Sequence, residues 1–482
     1  MSQGRGPNIL LIISDQHGAR WNGCYGNSLV RTPAIDALAR EAVVFDNAYC
    51  NSPLCVPSRM SFLTGRRVQD IEIWDNHTQL PPGTWTWPRA LVAAGYEVVL
   101  DGKMHIAGPD RLQGFQRQLS RDVDNPLSMP VPDWRGKCVP GVSFSQVDEG
   151  FADTPEGFRD VDDEVADAAV EFLESKAGDR AGRPWVLVVG FHGPHPKWIV
   201  EKEYLDMYPE ASIPDPDFPW EHLHRQNPVH IRRRVMRGSP PTGDPPDKVR
   251  RARRYCFAKI TRTDDRIGRV VSAFSRLGFG DDSYLVYTSD HGEMAGEHGL
   301  WNKHCFYEES AGIPMIIRRP KAEGAGTRRA EMVSLLDLSM GMFSWGTQGV
   351  APTPAGVVGG PTSGAGHAHH GDIFALVENR IADWENVATS EYYGTWLDRP
   401  TAMLRRDQYK ITLSPNDPPE LYDLEKDPRE LHDLSDEASF AAIRDRLSRE
   451  LLSQWDPVDL HRRVVESQDS RRHLWPPKDH PA

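Results

Sequence analysis

The feature that most constrains this chain is a recurring one: short, unbroken apolar runs rich in β-branched residues, separated by stretches of helical periodicity. "NILLIIS" (8–14), "YEVVL" (96–100), "WVLVVGF" (185–191), "SYLVYTS" (283–289) and "PMIIR" (314–318) read as buried strands. Helical patterns fill 33–42, 87–94, 162–177 and 248–278. Strands that are apolar on both faces need cover on both faces, so the pattern predicts an α/β fold with a large, mixed but mostly parallel sheet between helices. Segments 107–160 and 205–247, rich in Pro, Gly, Asp and Trp, read as long loops over the sheet edge. A Gly/Pro/Ala-rich stretch at 349–372 then divides the chain. Beyond it, "AMLRRDQYKITLS" (402–414) suggests two short strands, and a helix is expected near 437–454. Residues 1–372 are therefore expected to form the main α/β domain, and 373–482 a smaller α+β domain with an antiparallel sheet.

Charge and cysteine content exclude several classes. A net charge of −13 over 482 residues argues against a nucleic-acid binder, which needs concentrated Lys and Arg. The basic run "RRARRYCFAKITRTDDR" (250–266) leads into an amphipathic helix and reads as a solvated face. No apolar stretch approaches membrane-spanning length, and no membrane partner is expected. The N-terminal apolar run stops at Asp15 with no cleavage site behind it, so a buried first strand and a cytoplasmic location are expected. The six cysteines form no C-x-x-C pair, which indicates neither a disulfide framework nor a zinc knuckle. Cys24, Cys50, Cys138, Cys256 and Cys305 read as packed or incidental thiols, and "HAHH" (367–370) as surface loop. A homo-oligomer is left open.

The polar residues fall where ligands bind in such folds. Asp15 and Gln16 directly follow the first strand; Lys103 and His105 follow "VVLDG". His195 follows "WVLVVG", with His192 as its near competitor, and Asp290 and His291 follow "YLVYTS". In open α/β sheets the crevice beyond the strand carboxyl ends is the usual binding place. A single strand-end Asp is ordinarily a turn residue or cap; four such ends together are not. Asp15, Gln16, Asp290 and His291 offer oxygen-rich ligation with one imidazole, which suits Ca²⁺, Mg²⁺ or Mn²⁺ better than zinc.

One cysteine differs from the rest. "NSPLCVPSRMSFLTGRR" (51–67) reads as a loop entering a short helix, with Pro57 suited to its first position and Gly65 to its end. A side chain just upstream of a helix faces free backbone N–H groups and the positive end of the dipole.

With these residues in view, the chain resembles the formylglycine-dependent sulfatases of the alkaline phosphatase superfamily. "CVPSRMSFLTG" matches the signature C-x-P-S-R with its T-G close; "SDQHG" and "SDHGEMAGEHGLWNKHCFYEESAGIP" match the two metal pairs and a trailing lysine. "DGKMHIAGPD", "GFHGPHPKW" and "ELYDLEKDPRELHDL" match further elements in family order. The resemblance implies an alkaline-phosphatase-like fold and hydrolysis of a small-molecule sulfate monoester. It also implies that a formylglycine-generating maturation enzyme oxidises Cys55 to Cα-formylglycine. The hydrated aldehyde is a gem-diol, and once sulfated its second hydroxyl can collapse to C=O and expel sulfate, where a serine ester would hydrolyse slowly.

By the same resemblance, Asp15, Gln16, Asp290 and His291 hold one divalent cation together with residue 55. Arg59 orients the diol, and Lys103 and Lys303 bind sulfate oxygens and offset developing charge. His195 protonates the leaving alkoxide, His105 assists sulfate release, and Asn76 is a candidate donor to substrate. Gln16 and His291 stand where many members have Asp and Asn. Ca²⁺ is favoured, with Mn²⁺ as the alternative. The Gln/His pairing also occurs in the related phosphonate monoester hydrolases, which makes phosphonate or phosphodiester hydrolysis the alternative function. Lys103 and His105 tip the reading to sulfate esters. "GKMHIAGPDRLQGF" and the C-terminal tail look most like choline-sulfatase and its relatives. A choline ester needs an aromatic cage; Trp134 is the nominee, although loop packing accounts for it more simply.

Overall fold

The computed structural model describes residues 6–122, 131–135, 151–154, 158–179, 182–218, 220–237, 239, 243–347 and 370–474. Cys138 and residues 367–369 of the histidine run lie outside them.

The apolar runs become strands where expected. β1 (Asn8–Asp15), β2 (Val43–Tyr49), β3 (Glu97–Gly102), β4 (Arg117–Gln118), β6 (Trp185–Pro194), β8 (Ser283–Ser289), β9 (Met315–Arg318) and β10 (Thr327–Ser334) form one sheet. Its order is β10-β2-β9-β8-β1-β6-β3-β4. Only β9 runs antiparallel to its neighbours. β1 lies at the centre, with Ile9 opposite both Val186 of β6 and Tyr284 of β8.

Alternation along β1 divides the core. Ile9, Leu11 and Ile13 pack on one face beside the helices at Trp87–Ala93 and Leu335–Thr347. Leu10 and Ile12 pack on the other against α1 (Pro33–Arg40), α3 (Val161–Ala177) and α4 (Pro246–Arg276). Each fully buried Leu or Ile contributes roughly 1.5–3 kcal/mol, so the sheet is anchored from both sides. The loop regions hold more order than the sequence suggests. β5 (Phe151–Thr154) and β7 (Trp198–Glu201) form a parallel pair, and Pro228–Met236 is a helix that opens with Pro and an Asn227 cap.

Past 370, Ile373, Phe374, Leu376 and Val377 enter the core of the main sheet. β11 (Val387–Tyr392), β12 (Thr401–Arg406), β13 (Tyr409–Leu413) and β14 (Glu420–Asp423) then form an antiparallel sheet in chain order. Helices Ala441–Leu452 and Pro457–Leu474 follow, and Leu447, Leu460 and Val464 share a core with Leu404, Ile411, Val68 and Trp74.

Candidate active site

Five parallel strands end on one side of the sheet, and each delivers part of the site. Helix α2 (Cys55–Thr64) follows β2 and ends at Gly65, whose left-handed φ of 65° closes it. Cys55 is itself the first helical residue, with Leu54 as the extended N-cap. The helix therefore starts two residues earlier than Pro57 alone predicts, and the sulfur sits on its first turn.

The sulfur is surrounded by the expected residues. Cys55 Sγ lies 3.2 Å from His291 Nε2, 3.2 Å from Lys303 Nζ and 3.9 Å from Asp15 Oδ1. Arg59, one turn along α2 and 1% exposed, donates through Nε to Asp290 Oδ2 at 2.8 Å and through Nη2 to Asp15 Oδ2 at 3.2 Å. Its Nη1 reaches Lys103 O at 2.9 Å. Lys103 Nζ pairs with Asp15 Oδ2 at 2.7 Å. Lys303 also donates to Gln16 Oε1. His195 Nε2 stands 4.0 Å from Asp15 Oδ1, its ring a quarter exposed, and His192 packs edge-on against it. The convergence of β3 and β6 needs Gly190, where a Cβ would meet Lys103 O at 1.9 Å.

His105 and Asn76 stand one step out. His105 is held through its backbone, whose N–H donates to Asp122 Oδ2 at 2.5 Å. Asn76 Oδ1 accepts from Val56 N–H at 3.1 Å and so caps the start of α2; only its NH₂ can donate to a substrate. Trp134 is no part of the site. It packs with Trp74 and Tyr393, stacks on His461 at 5.5 Å, and donates to Gly394 O.

The electrostatics are uneven. Burial alone would raise the Asp15 carboxyl, but Lys103, then His195, Arg59 and Lys303, hold it well below the usual range. Burial pulls His291 down to about 4, Asp290 opposing. Burial, Lys303 and Lys103 likewise depress His195, with Asp15 opposing. Two neutral imidazoles thus face an ionised aspartate.

Asp15, Cys55, Asp290 and His291 each present a ligand atom, all within 4.8 Å of one another. Ligands on opposite sides of a Ca²⁺ at 2.3–2.6 Å lie about 5 Å apart, so this set fits one small divalent ion. Three supporting residues escaped the sequence reading. Ser58 Oγ donates to Asp290 O at 2.7 Å, Asp122 fixes the Met104–His105 turn, and Glu293 binds Gln16 Nε2 and the Asn302 N–H. Glu293 carries a local signal, three residues after Asp290 in "SDHGE", but no periodicity marks it.

A strand-end cluster of carboxylates, imidazoles and ammonium groups around one nucleophile-bearing helix is the arrangement of an ester hydrolase, with a donor set that fits a metal ion. The chain belongs to the sulfatase family, and it is an enzyme that hydrolyses sulfate esters. The family model described as Sulfatase matches residues 7–347, and one described as N-sulphoglucosamine sulphohydrolase, C-terminal, matches 296–456. Choline-sulfatase of Rhizobium meliloti (strain 1021) is 31% identical over 484 residues, covering 96% of this chain and 90% of that one. The N-acetylglucosamine-6-O-sulfatase of Bacteroides thetaiotaomicron is 25% identical over 505 residues, covering 90% and 84%. The crystal structure of the phosphonate monoester hydrolase of Agrobacterium radiobacter shares the fold, with a TM-score of 0.71 at 23% identity over 93% of this chain and 95% of that one.

Proposed function

We propose that the chain hydrolyses a sulfate monoester at Cys55 after a maturation enzyme has converted that residue to formylglycine. The observation that carries the reading is Cys55 Sγ at the meeting point of Asp15, His291 and Lys303. Asp15, Gln16, Asp290, His291 and residue 55 would hold the divalent ion, Ca²⁺ ahead of Mn²⁺ because most of these donors are hard oxygens. When bound, the ion supplies Lewis acidity, lowering the pKa of a coordinated hydroxyl and neutralising a sulfate oxygen. The hydrated aldehyde supplies one hydroxyl to attack sulfur and a second through which sulfate can leave.

The remaining work falls to side chains. Arg59, locked to both aspartates, orients residue 55 on the first turn of α2. Lys103 and Lys303 receive sulfate oxygens, and their charge is worth most where it develops in the transition state. His195 Nδ1 lies 2.5 Å from Pro196 O, which fixes its N–H there and turns Nε2 to the site, where it donates to the leaving oxygen once the ring is protonated. A bound sulfate raises His195 against the pull of the lysines. His105 takes up the proton released as sulfate departs.

The alternative, a phosphonate monoester or phosphodiester hydrolase, draws on the Gln16/His291 pair. The test co-expresses the chain with a formylglycine-generating enzyme, verifies residue 55 by peptide mass, and compares an aryl sulfate with an aryl phosphonate. A higher kcat/KM on the sulfate is expected; a much higher value on the phosphonate reverses the order. Stripping divalent ions stops turnover, and add-back ranks Ca²⁺ against Mn²⁺.

A further inference from the structure

Beside Lys303 stands a second group of buried donors that the chemistry above leaves unused. His304, 2% exposed, is tied by its backbone N–H to Pro53 O at 3.2 Å, two residues before Cys55. Its ring meets Trp396 edge-on at 4.5 Å and Tyr392 at 5.6 Å. The Arg237 guanidinium lies 4.8 Å over the Trp396 ring and donates to Trp301 O. The Asn302 carboxamide sits between Arg237 and Gln16, so this group adjoins the reaction centre directly.

What distinguishes the group is missing neutralisation. Its neighbour Arg233 contacts His230 Nδ1 at 3.1 Å, and His230 reaches Glu420 at 3.1 Å, so that charge has a carboxylate in reserve. Among the described residues no carboxylate forms an ion pair with Arg237, although it is 8% exposed, and His304 Nδ1 has no hydrogen-bond partner. Burial pulls the Arg237 pKa down to about 10, with Glu293 opposing. A buried cation without its counter-ion is costly to the free protein, and a ligand that supplies the counter-ion removes that cost. The sulfate undergoing hydrolysis does not need these donors, because Lys103 and Lys303 already face it.

We infer that the alcohol portion of the ester carries a second anionic group, a carboxylate or another sulfate, received by Arg237 and His304 against Trp396. This rests on the sulfate-ester reading above. A cationic alcohol is disfavoured on two grounds: Arg237 and Lys303 repel it, and the Trp396 face that could hold a quaternary ammonium already carries a guanidinium.

The experiment compares kcat/KM of the matured enzyme on four esters: a neutral sugar sulfate, the corresponding uronic acid sulfate, a disulfated sugar and choline sulfate. The expected result is a preference of about tenfold or more for an anionic alcohol over the neutral one, as charge-assisted hydrogen bonds give. The uronic acid and disulfate arms distinguish carboxylate from sulfate. Arg237→Met brings the ratio to within about threefold of unity, and Arg237→Lys keeps part of it. If Arg237→Met does not fold, His304→Gln gives the same comparison. Equal or better turnover of the neutral or choline ester, or an unchanged ratio in a folded Arg237→Met, overturns the inference. Calorimetric binding of the four esters to Cys55→Ala separates the two ideas. An anionic preference there with no sulfate turnover by the matured enzyme sinks the hydrolase reading and keeps the subsite.

Discussion

Tyr49 closes β2 and belongs to one buried cluster of charge; Cys55 opens α2 and belongs to another. The Tyr49 cluster joins the two sheets. Lys410 of β13 pairs with Glu308 and Glu430, each at 2.7 Å, and donates to Phe306 O at 2.6 Å. Arg405 donates to the Tyr49 hydroxyl, which in turn donates to Glu308 at 3.1 Å. The Lys410 ammonium thus donates to Phe306 O and Glu308 and lies in an ion pair with Glu430. Around Cys55, by contrast, the three cations Arg59, Lys103 and Lys303 face the two carboxylates Asp15 and Asp290. One cluster commits its cations to Glu308, Glu430 and a tyrosine hydroxyl, and the other gathers its cations around a nucleophile. Burial of charge alone therefore does not mark function; buried charge gathered around a nucleophile does.

The sharpest test of that contrast is to remove one member from each cluster. Cys55→Ala lowers kcat by about 10⁴-fold or more, since the group that forms the covalent bond is gone. Its thermal midpoint stays near that of the parent. Lys410→Met does the reverse. It leaves Glu308 buried beside Glu430 without its cation, at a cost of about 3–5 kcal/mol in stability. Turnover per folded molecule stays within about twofold. Equal losses of stability in both variants would erase the distinction.

Within the site, Lys303→Ala asks whether the gathered charge acts on the transition state. A fall in kcat of about 10²–10³-fold, with KM changed by less than about threefold, is expected if the ammonium meets developing charge. A change in KM alone would reduce Lys303 to a binding residue. Stability is expected to change little, because relief of repulsion among three cations offsets the lost contacts to Asp15 and Gln16. In this respect it is the opposite of Lys410.

The two clusters also differ in how far the chain announces them. Asp15, Gln16, Lys103, His195, Asp290 and His291 each sit at the end of an apolar run, so a parallel sheet delivers them to one place once the runs are read as strands. Cys55 is legible through Pro57 and Arg59 in its own helix. The Lys410 cluster has no such signature. Its members come from positions 49, 308, 405, 410 and 430, and no local period relates them. β2 and β10 are hidden for a related reason. "VVFDNAY" is interrupted by half-solvated Asp46 and Asn47, and "TRRAEMVS" is exposed over its first half, so neither reads as an unbroken run. The helix at Pro457–Leu474 escapes because, of its residues with described side chains, only the narrow stripe of Leu460, Val464, Val465 and Gln468 is buried. Cooperation between strand ends can be read from a sequence; pairings across two sheets need the packing itself.

The gentlest probe of the Tyr49 cluster is pH. Burial pushes the Glu430 carboxyl up to about 8, Lys410 opposing, whereas Lys410, Arg405 and Arg20 overcome burial to hold Glu308 down to about 2. In an unfolded chain both titrate near ~4.3. Between roughly pH 4.3 and 8, then, unfolding releases a proton from Glu430, and stability falls as pH rises through that window. Glu308 contributes with the opposite sign: its share is complete above about pH 4.3 and fades only as pH drops toward 2. Glu430→Gln keeps the shape and removes the titration. The difference in thermal midpoint between parent and variant should therefore move steadily against the parent from pH 5 to 8 and level off above. A difference that stays flat across that range would mean Glu430 is already ionised against Lys410, making the Tyr49 cluster a plain salt bridge rather than one that shares a proton.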